Sequence, residues 1–178
     1  MIGLNVLFWI FVVLFGIIGL MRGWAKEILV SFSVILGLFI ISVIERYGGF
    51  LTNLLNAPGT GLFWMRFFIL GALVFFGYQG PNIPKLSQTN KFVRERLQDS
   101  LLGLFLGALN GYLIFGTIWS FMESSGYPFP NIIASPNGTP FQEAAEVLIK
   151  ILPPTWLSPP GVYIAVALAF AFVLVVFI

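Results

Sequence analysis

Few side chains in this chain of 178 residues are of types that catalyse reactions, and their positions reduce further the number of reactions that they could catalyse. The sequence contains neither His nor Cys, which excludes metal or haem ligation by imidazole or thiolate and the Ser-His and Cys-His nucleophiles. The acidic side chains nearest the apolar runs lie close to run ends: Glu27, Glu45, Asp99 and Glu123. A proton relay or ion-coupled transporter normally needs an ionisable group inside a span. We therefore expect no enzyme activity, no cofactor and no metal ion.

The most informative charged residues belong to a short polar junction between two apolar runs, residues 22–27. The runs 3–21 and 28–44 contain no charged side chain, and about 20 residues at 1.5 Å rise cross the roughly 30 Å core of a bilayer. So short a connection predicts two neighbouring antiparallel helices. Arg22 and Glu27 flank the turn closely enough to pair, and Gly23 lets the chain reverse direction. The pair is interpreted either as a pinned hairpin that signals orientation or as a cytoplasmic docking site.

The composition of the whole chain is that of a membrane protein. Hydrophobic residues make up 58% and charged residues 9%, with a mean hydropathy of +0.97, whereas about a quarter of the residues are charged in a typical soluble domain. We predict one integral membrane domain over residues 1–178, an all-α polytopic transmembrane helical bundle of about five spans. The predicted spans are residues 3–21, 25–44, 62–79, 100–122 and 161–178.

The nine Lys and Arg residues predict the orientation of the bundle, because cytoplasmic loops carry an excess of cations. The first and third connections contain six of them: Arg22, Lys26, Lys85, Lys91, Arg94 and Arg96. The opposite face contains three: Arg46, Arg66 and Lys150. We therefore expect the N-terminus outside and the C-terminus in the cytoplasm. The four cations of the third connection either only set this orientation or also bind anionic lipid headgroups, at about 1 kcal/mol each.

The fourth span carries glycines in a helical register. Gly103, Gly107 and Gly111 recur every four residues, with Asn110 beside the last, so they form a smooth face that another helix backbone can approach closely. This face either packs on the glycines of the first hairpin or drives self-association, with a homo-oligomeric glycine-zipper pore as one result. The polar side chains within the spans are best explained by interhelical hydrogen bonds; they are Ser31, Ser33, Ser42, Ser100 and Asn110.

Residues 139–152 have the pattern of an amphipathic helix beside the membrane, with its regular part over about 140–152. Thr139 is a good N-cap, Pro140 suits the first helical position, and Gln142 completes a capping box. The apolar residues of this segment share one face of the predicted helix. We expect either an interfacial helix that lies on the outer leaflet or covers the bundle, or a short outer helix packed on its own protein.

One element of the sequence resembles a known family. Gly19, Arg22, Gly23 and Glu27 form a G-x-x-R-G-x-x-x-E pattern between two apolar runs, and this pattern is similar to the opening of the colicin V production protein family. The glycine-rich fourth span after a basic stretch and the late segment 135–153 are also similar, so the resemblance covers roughly residues 3–155. It implies a bacterial inner-membrane protein linked to toxin production or export and to envelope upkeep. The predicted fifth span departs from the usual four.

Three functions are consistent with the sequence. The first is a scaffold or channel-like role of the kind that the resemblance implies, in the bacterial cytoplasmic membrane. The second is an accessory subunit of a larger respiratory or photosynthetic membrane complex, since the 20 Phe residues and few polar features suit a chain covered by partners or lipid. The third is the glycine-zipper pore. In each case the lipid bilayer is the first partner, and the low number of charges argues against nucleic acid.

Overall fold

The computed structural model describes residues 3–48, 60–79, 93–129, 133, 136 and 138–177. Every regular element within these residues is a helix, which confirms the predicted all-α bundle. The helices are α1 (Leu4–Arg22), α2 (Trp24–Tyr47), α3 (Thr60–Tyr78), α4 (Val93–Ser124), α5 (Gln142–Ile149), α6 (Pro153–Trp156) and α7 (Gly161–Phe177).

Four of these helices, α1 to α4, are long and apolar enough to cross a membrane. The 17-residue helix α7 reaches that length only together with α5 and α6, and the two parts meet at a bend of 61°. The described residues therefore form a multi-pass helical bundle with four spans, or five if the bent pair is one span. Which end of the bundle faces the cytoplasm stays a prediction.

Helix α4 is the centre of the described bundle, because α1, α2, α3 and α6 all pack on it. It begins seven residues before the predicted fourth span and has 32 residues. Helix α1 runs antiparallel to it: the Phe11 ring stacks on the Phe115 ring at 3.7 Å, and Phe8 packs edge-on against Trp119. The buried apolar core follows these contacts along α4.

The prediction of two neighbouring antiparallel helices is confirmed for the direction of α1 and α2, but the two helices are not packed side by side. Their contacts are few compared with those that each makes to α4, which lies between them. The single residue Gly23 separates the two helices, whereas packed helix axes need about 8–10 Å. So short a link holds the end of α1 close to the start of α2, while the remaining turns of the two helices diverge. Helix α4 occupies the space between them.

Helices α3 and α7 both pack on α2, and α4 packs on the face of α2 that they do not cover. Gly77 of α3 lies against Ser33 of α2, and Phe39 of α2 packs edge-on against Tyr163 of α7 at 5.7 Å. Both helices run antiparallel to α2. Because α2 is enclosed on three sides, polar groups along it must find partners within the protein.

The helix α5 is shorter than predicted, and the proposed cap at Thr139 was wrong. The N-cap position is Phe141, with no side-chain cap hydrogen bond. The Thr139 hydroxyl donates to the Pro136 carbonyl at 2.6 Å and accepts from the Phe141 N–H at 3.3 Å, so it bonds within the turn that precedes the regular helix. Gln142 instead accepts a hydrogen bond from the Gly138 N–H at 2.8 Å. After α5 the chain turns onto α4, where Pro153 packs against Gly116. This point is eight residues, or about 12 Å, before the end of α4, so the segment lies along the bundle.

Candidate functional site

Gly23 begins the site, because its backbone separates α1 from α2. Its φ of 84° lies in the region that favours glycine, and its N–H donates to the Gly19 carbonyl at 2.9 Å, which ends α1. The first N–H of α2, that of Trp24, donates to Asp99 Oδ1 at 3.2 Å. A carboxylate of α4 thus satisfies one of the free donors at the start of α2. A Cβ at Gly23 would lie 2.9 Å from the same Asp99 oxygen.

Arg22 and Glu27 pair across this hinge. Arg22 Nε lies 3.3 Å from Glu27 Oε1, and the Glu27 side chain is 0% exposed, whereas that of Arg22 is 21% exposed. The sequence places Glu27 at a membrane interface, but the fold buries it completely beneath α4. A buried charge is tolerable only when it is paired and hydrogen-bonded, so the remaining partners of Glu27 decide whether the site is stable.

Asn110, in the middle of α4, supplies those partners and is itself 0% exposed. Its Nδ2 donates to Glu27 Oε2 and to the Glu27 backbone carbonyl, both at 2.8 Å. Its Oδ1 accepts a hydrogen bond from the Ser31 hydroxyl at 2.6 Å. These contacts confirm the interhelical hydrogen bonds predicted for Ser31 and Asn110, whereas the prediction for Ser33 was wrong, because its hydroxyl donates to the Leu29 carbonyl within α2 at 3.0 Å. They also show that Asn110 holds the carboxylate of Glu27, which the sequence analysis did not foresee.

Arg22 connects the site to α3 as well. One of its Nη atoms donates to the Tyr78 carbonyl at 3.2 Å, and the guanidinium lies 4.3 Å from the centre of the Tyr78 ring. We call the five residues Arg22, Glu27, Ser31, Tyr78 and Asn110 the hinge cluster. It joins the end of α1, the start of α2, the end of α3 and the middle of α4.

The hinge cluster is closed and electrically balanced. The carboxylate of its ion pair is buried, and Glu27 Oε1 faces the Arg22 guanidinium at 3.3 Å. Within the part of the chain that the structure describes, no three of His, Cys, Asp and Glu lie together as a metal site. The arrangement fixes the positions of four helices and presents the carboxylate to a guanidinium and an amide.

The glycine face of α4 packs beside the hinge cluster, against α1. A Cβ at Gly19 would collide with the backbone of Gly103 and Gly107, and one at Gly111 would lie 2.9 Å from Val12 Cα. The two backbones therefore approach each other as closely as glycine permits. Of the two interpretations of this face, the structure shows packing on the first hairpin, and α1 covers the surface that a pore would need.

Of the four predicted cations of the third connection, only Arg96 has a described side chain. Lys85 and Lys91 lie outside the described residues, as does the side chain of Arg94. Arg96 is exposed in the second turn of α4. The choice between orientation and lipid binding for these four residues stays open.

Sequence reasoning missed a second ion pair, at the other end of α2. Arg66 Nε of α3 donates to Glu45 Oε1 at 2.6 Å, and an Nη atom donates to the Ser124 hydroxyl at 2.8 Å. The sequence does contain a signal for this pair: Glu45 directly follows the run 25–44, and Arg66 lies four residues after the start of the run 62–79, so both are near the same predicted face of the membrane. Such residues in adjacent antiparallel spans lie at similar depth.

Comparison with known proteins gives no relative: no family model matches the chain, and no curated protein or solved structure is significantly similar to it.

Proposed function

We propose that the chain is a multi-pass protein of the bacterial cytoplasmic membrane that acts in toxin production or export, or in envelope homeostasis. It does so as a non-enzymatic scaffold of the kind implied by its resemblance to the colicin V production family. The proposed orientation places the hinge cluster near the cytoplasmic face and the Glu45–Arg66 pair near the outer face.

One observation carries this proposal: the four residues of the G-x-x-R-G-x-x-x-E element all serve the assembly of the bundle. Gly19 allows the backbone of α4 to approach α1 closely, and Gly23 forms the hinge. Arg22 and Glu27 form the ion pair, and Asn110 donates a hydrogen bond to its carboxylate. A scaffold requires rigid helix positions, and a buried polar network of this kind rigidifies the helices that share it.

The orientation is tested with thiol labelling, because the chain contains no Cys of its own. Arg96→Cys and Lys150→Cys are exposed positions in the third connection and beyond the fourth span. In intact cells, a membrane-impermeant maleimide should label only Lys150→Cys, and Arg96→Cys should react after the cells are opened. Labelling of Arg96→Cys in intact cells would contradict the proposed orientation.

The role in toxin export is tested in a bacterial strain that lacks its own colicin V production protein and carries the genes for colicin V secretion. We expect the wild-type chain to restore secretion, measured as the growth-inhibition zone on a sensitive lawn. The double variant Arg22→Gln and Glu27→Gln should fail to do so, whereas Arg96→Gln should behave as the wild type.

The amount of each protein in the membrane is measured by immunoblot in the same cells. If the wild-type chain reaches the membrane at normal amounts and secretion is still absent, the proposed role in toxin export is wrong. Stoichiometric recovery of other polypeptides with the chain from its native membrane would favour the accessory-subunit function instead.

A further inference from the structure

A cavity of about 470 Å³ lies at the end of α2 opposite the hinge cluster. Its walls are the last turns of α2 and α4, the first turns of α3, and the segment that joins α6 to α7. Along α2 it extends from Leu38 to Arg46, which is a depth of about 12 Å. We call it the Arg66 cavity. Its volume is within the range of small-molecule sites, about 300–1,000 Å³.

Arg66 is held in a fixed orientation in this cavity. The Glu45 carboxylate and the Ser124 hydroxyl accept hydrogen bonds from it, and its guanidinium lies 5.4 Å from the centre of the Phe121 ring. These two hydrogen bonds use two of the five N–H donors of a guanidinium. A preoriented guanidinium loses little entropy when it binds a further anion, and its planar donors match the oxygens of a phosphate.

The charges of the residues that line the cavity favour a ligand with a single negative charge. Two cations, Arg46 and Arg66, and one carboxylate, Glu45, line the cavity, so the sum is one positive charge. Four serines line the cavity: Ser42, Ser120, Ser124 and Ser158. The Ser124 hydroxyl donates to the Phe121 carbonyl and that of Ser42 lies 3.5 Å from the Tyr163 hydroxyl, so Ser120 and Ser158 are the serines that can donate to a ligand. The rest of the wall is apolar. A ligand that suits this site has a singly charged oxyanion and an apolar part.

We propose that the Arg66 cavity binds a phosphodiester, with its phosphate at Arg66 and Arg46 and its apolar part against Leu38, Ile41 and Phe121. A phosphodiester carries one negative charge at neutral pH, which matches the lining, and its two free oxygens suit a guanidinium and serine hydroxyls. The group can belong to the headgroup of an anionic lipid or to a soluble phosphodiester, and both present the same chemistry to the cavity. The site is independent of the proposed role in toxin export.

Binding is measured on the intact, purified chain in mild detergent with two probes. Phosphatidylglycerol is added at increasing concentration, and the bound copies are counted by native mass spectrometry. Dimethyl phosphate is added separately, and its ³¹P line width is followed by NMR. We expect one saturable copy of phosphatidylglycerol per chain if the source is lipid, and broadening of the dimethyl phosphate line if the source is soluble.

The double variant Glu45→Gln and Arg66→Gln removes both charges of the pair and keeps amide groups in their place. We expect it to weaken binding of the responding probe by about tenfold or more, because it removes a charge-assisted hydrogen bond. Arg96→Gln removes one exposed cation at the opposite end of α4 and should leave binding unchanged. Equal binding by the double variant and Arg96→Gln would overturn the proposal, as would the failure of both probes to bind the wild type.

A thiol variant keeps the test valid if the double variant does not fold. Ser158→Cys places the only Cys of the chain in the cavity wall and retains both arginines. The probe that binds should slow maleimide labelling of this thiol several-fold, while acetate at the same ionic strength should not. Glu123→Cys lies outside the lining and is exposed, so its labelling rate should not change. Labelling of Ser158→Cys that is unaffected by either probe would contradict the assignment.

Discussion

Helix α2 carries a carboxylate near each end, and each pairs with an arginine of another helix. Glu27 pairs with Arg22 of α1 in the hinge cluster, where its side chain is 0% exposed. Glu45 pairs with Arg66 of α3 in the Arg66 cavity, where the two side chains are 26% and 16% exposed. The same two functional groups therefore occur in a closed site and in an open one.

The difference follows from the position of α4. At the hinge, glycines let α4 approach α1 closely, and Asn110 fills the space beside the carboxylate. At the other end of α2, a cavity separates it from α4. Removal of Arg22 from the closed pair leaves the buried charge of Glu27, whereas water replaces the lost partner in the open pair. The closed pair should determine stability, and the open pair should determine binding.

The largest effect is expected from a change that prevents closure of the hinge. Gly19→Leu adds a side chain where even a Cβ collides with the backbone of Gly103 and Gly107, and backbone atoms cannot move aside as a flexible side chain does. We expect loss of the folded protein, measured as loss of the monodisperse peak in size-exclusion chromatography in detergent.

Gly71→Leu is the matched control, because no atom lies within 4 Å of a Cβ at Gly71 of α3. It adds the same side chain to another membrane helix, where leucine also has the better helix propensity. This variant should elute as the wild type does. If both variants fold, the close approach of α1 and α4 does not limit the fold.

The second effect is the loss of the closed ion pair. Arg22→Ala leaves the Glu27 carboxylate, which is 0% exposed, without its cation, so we expect a loss of about 3–5 kcal/mol in the free energy of unfolding. The measurement is unfolding of the detergent-solubilised chain in increasing denaturant, followed by tryptophan fluorescence. A loss below about 1 kcal/mol would show that the hinge cluster contributes no more than a surface pair does.

Part of the hinge cluster could be predicted from the sequence because its members are close along the chain. Arg22 and Glu27 flank one turn, and Glu27 and Ser31 are four residues apart and share a helix face. The glycines at every fourth position likewise define one face before any fold is known. Local spacing is sufficient for these features, because the helix period fixes which side chains are adjacent.

The remaining features depend on how helices rotate and which of them become neighbours. The burial of Glu27 arises from Asn110, which is 83 residues away along the chain, and the sequence does not specify that α4 separates α1 from α2. The start of α5 was wrong for a similar reason. Thr139 has the preferred side chain for a cap and accepts the Phe141 N–H, but its hydroxyl also donates to the Pro136 carbonyl, and the regular helix begins only after Phe141.

A third, smaller effect distinguishes the contribution of the hydrogen bonds in the hinge cluster to stability from the contribution of its ion pair. Asn110→Ala removes the donor to Glu27 and the acceptor of Ser31 but keeps the ion pair, so we expect a loss of about 1–2 kcal/mol. Thr117→Val is the control on the same helix: Thr117 is 0% exposed, and its hydroxyl has no hydrogen-bond partner among the described residues. It should be neutral or slightly stabilising in the same denaturant titration. Equal losses in the two variants would mean that packing, not hydrogen bonding, is measured.

The smallest effect on stability is expected at the open pair, although Glu45 and Arg66 have the shorter separation, 2.6 Å against 3.3 Å. Glu45→Ala should lower the free energy of unfolding by about 1 kcal/mol or less, because both side chains remain accessible to water. Salt should separate the two pairs further. In about 1 M salt the Debye length falls to about 3 Å, so the loss in Glu45→Ala should disappear, while the loss in Arg22→Ala, which leaves a buried carboxylate, should persist. A salt-independent loss in Glu45→Ala would show that the open pair is as closed to solvent as the hinge. Distance alone would then be the better guide to the strength of the two pairs, and burial would not distinguish them.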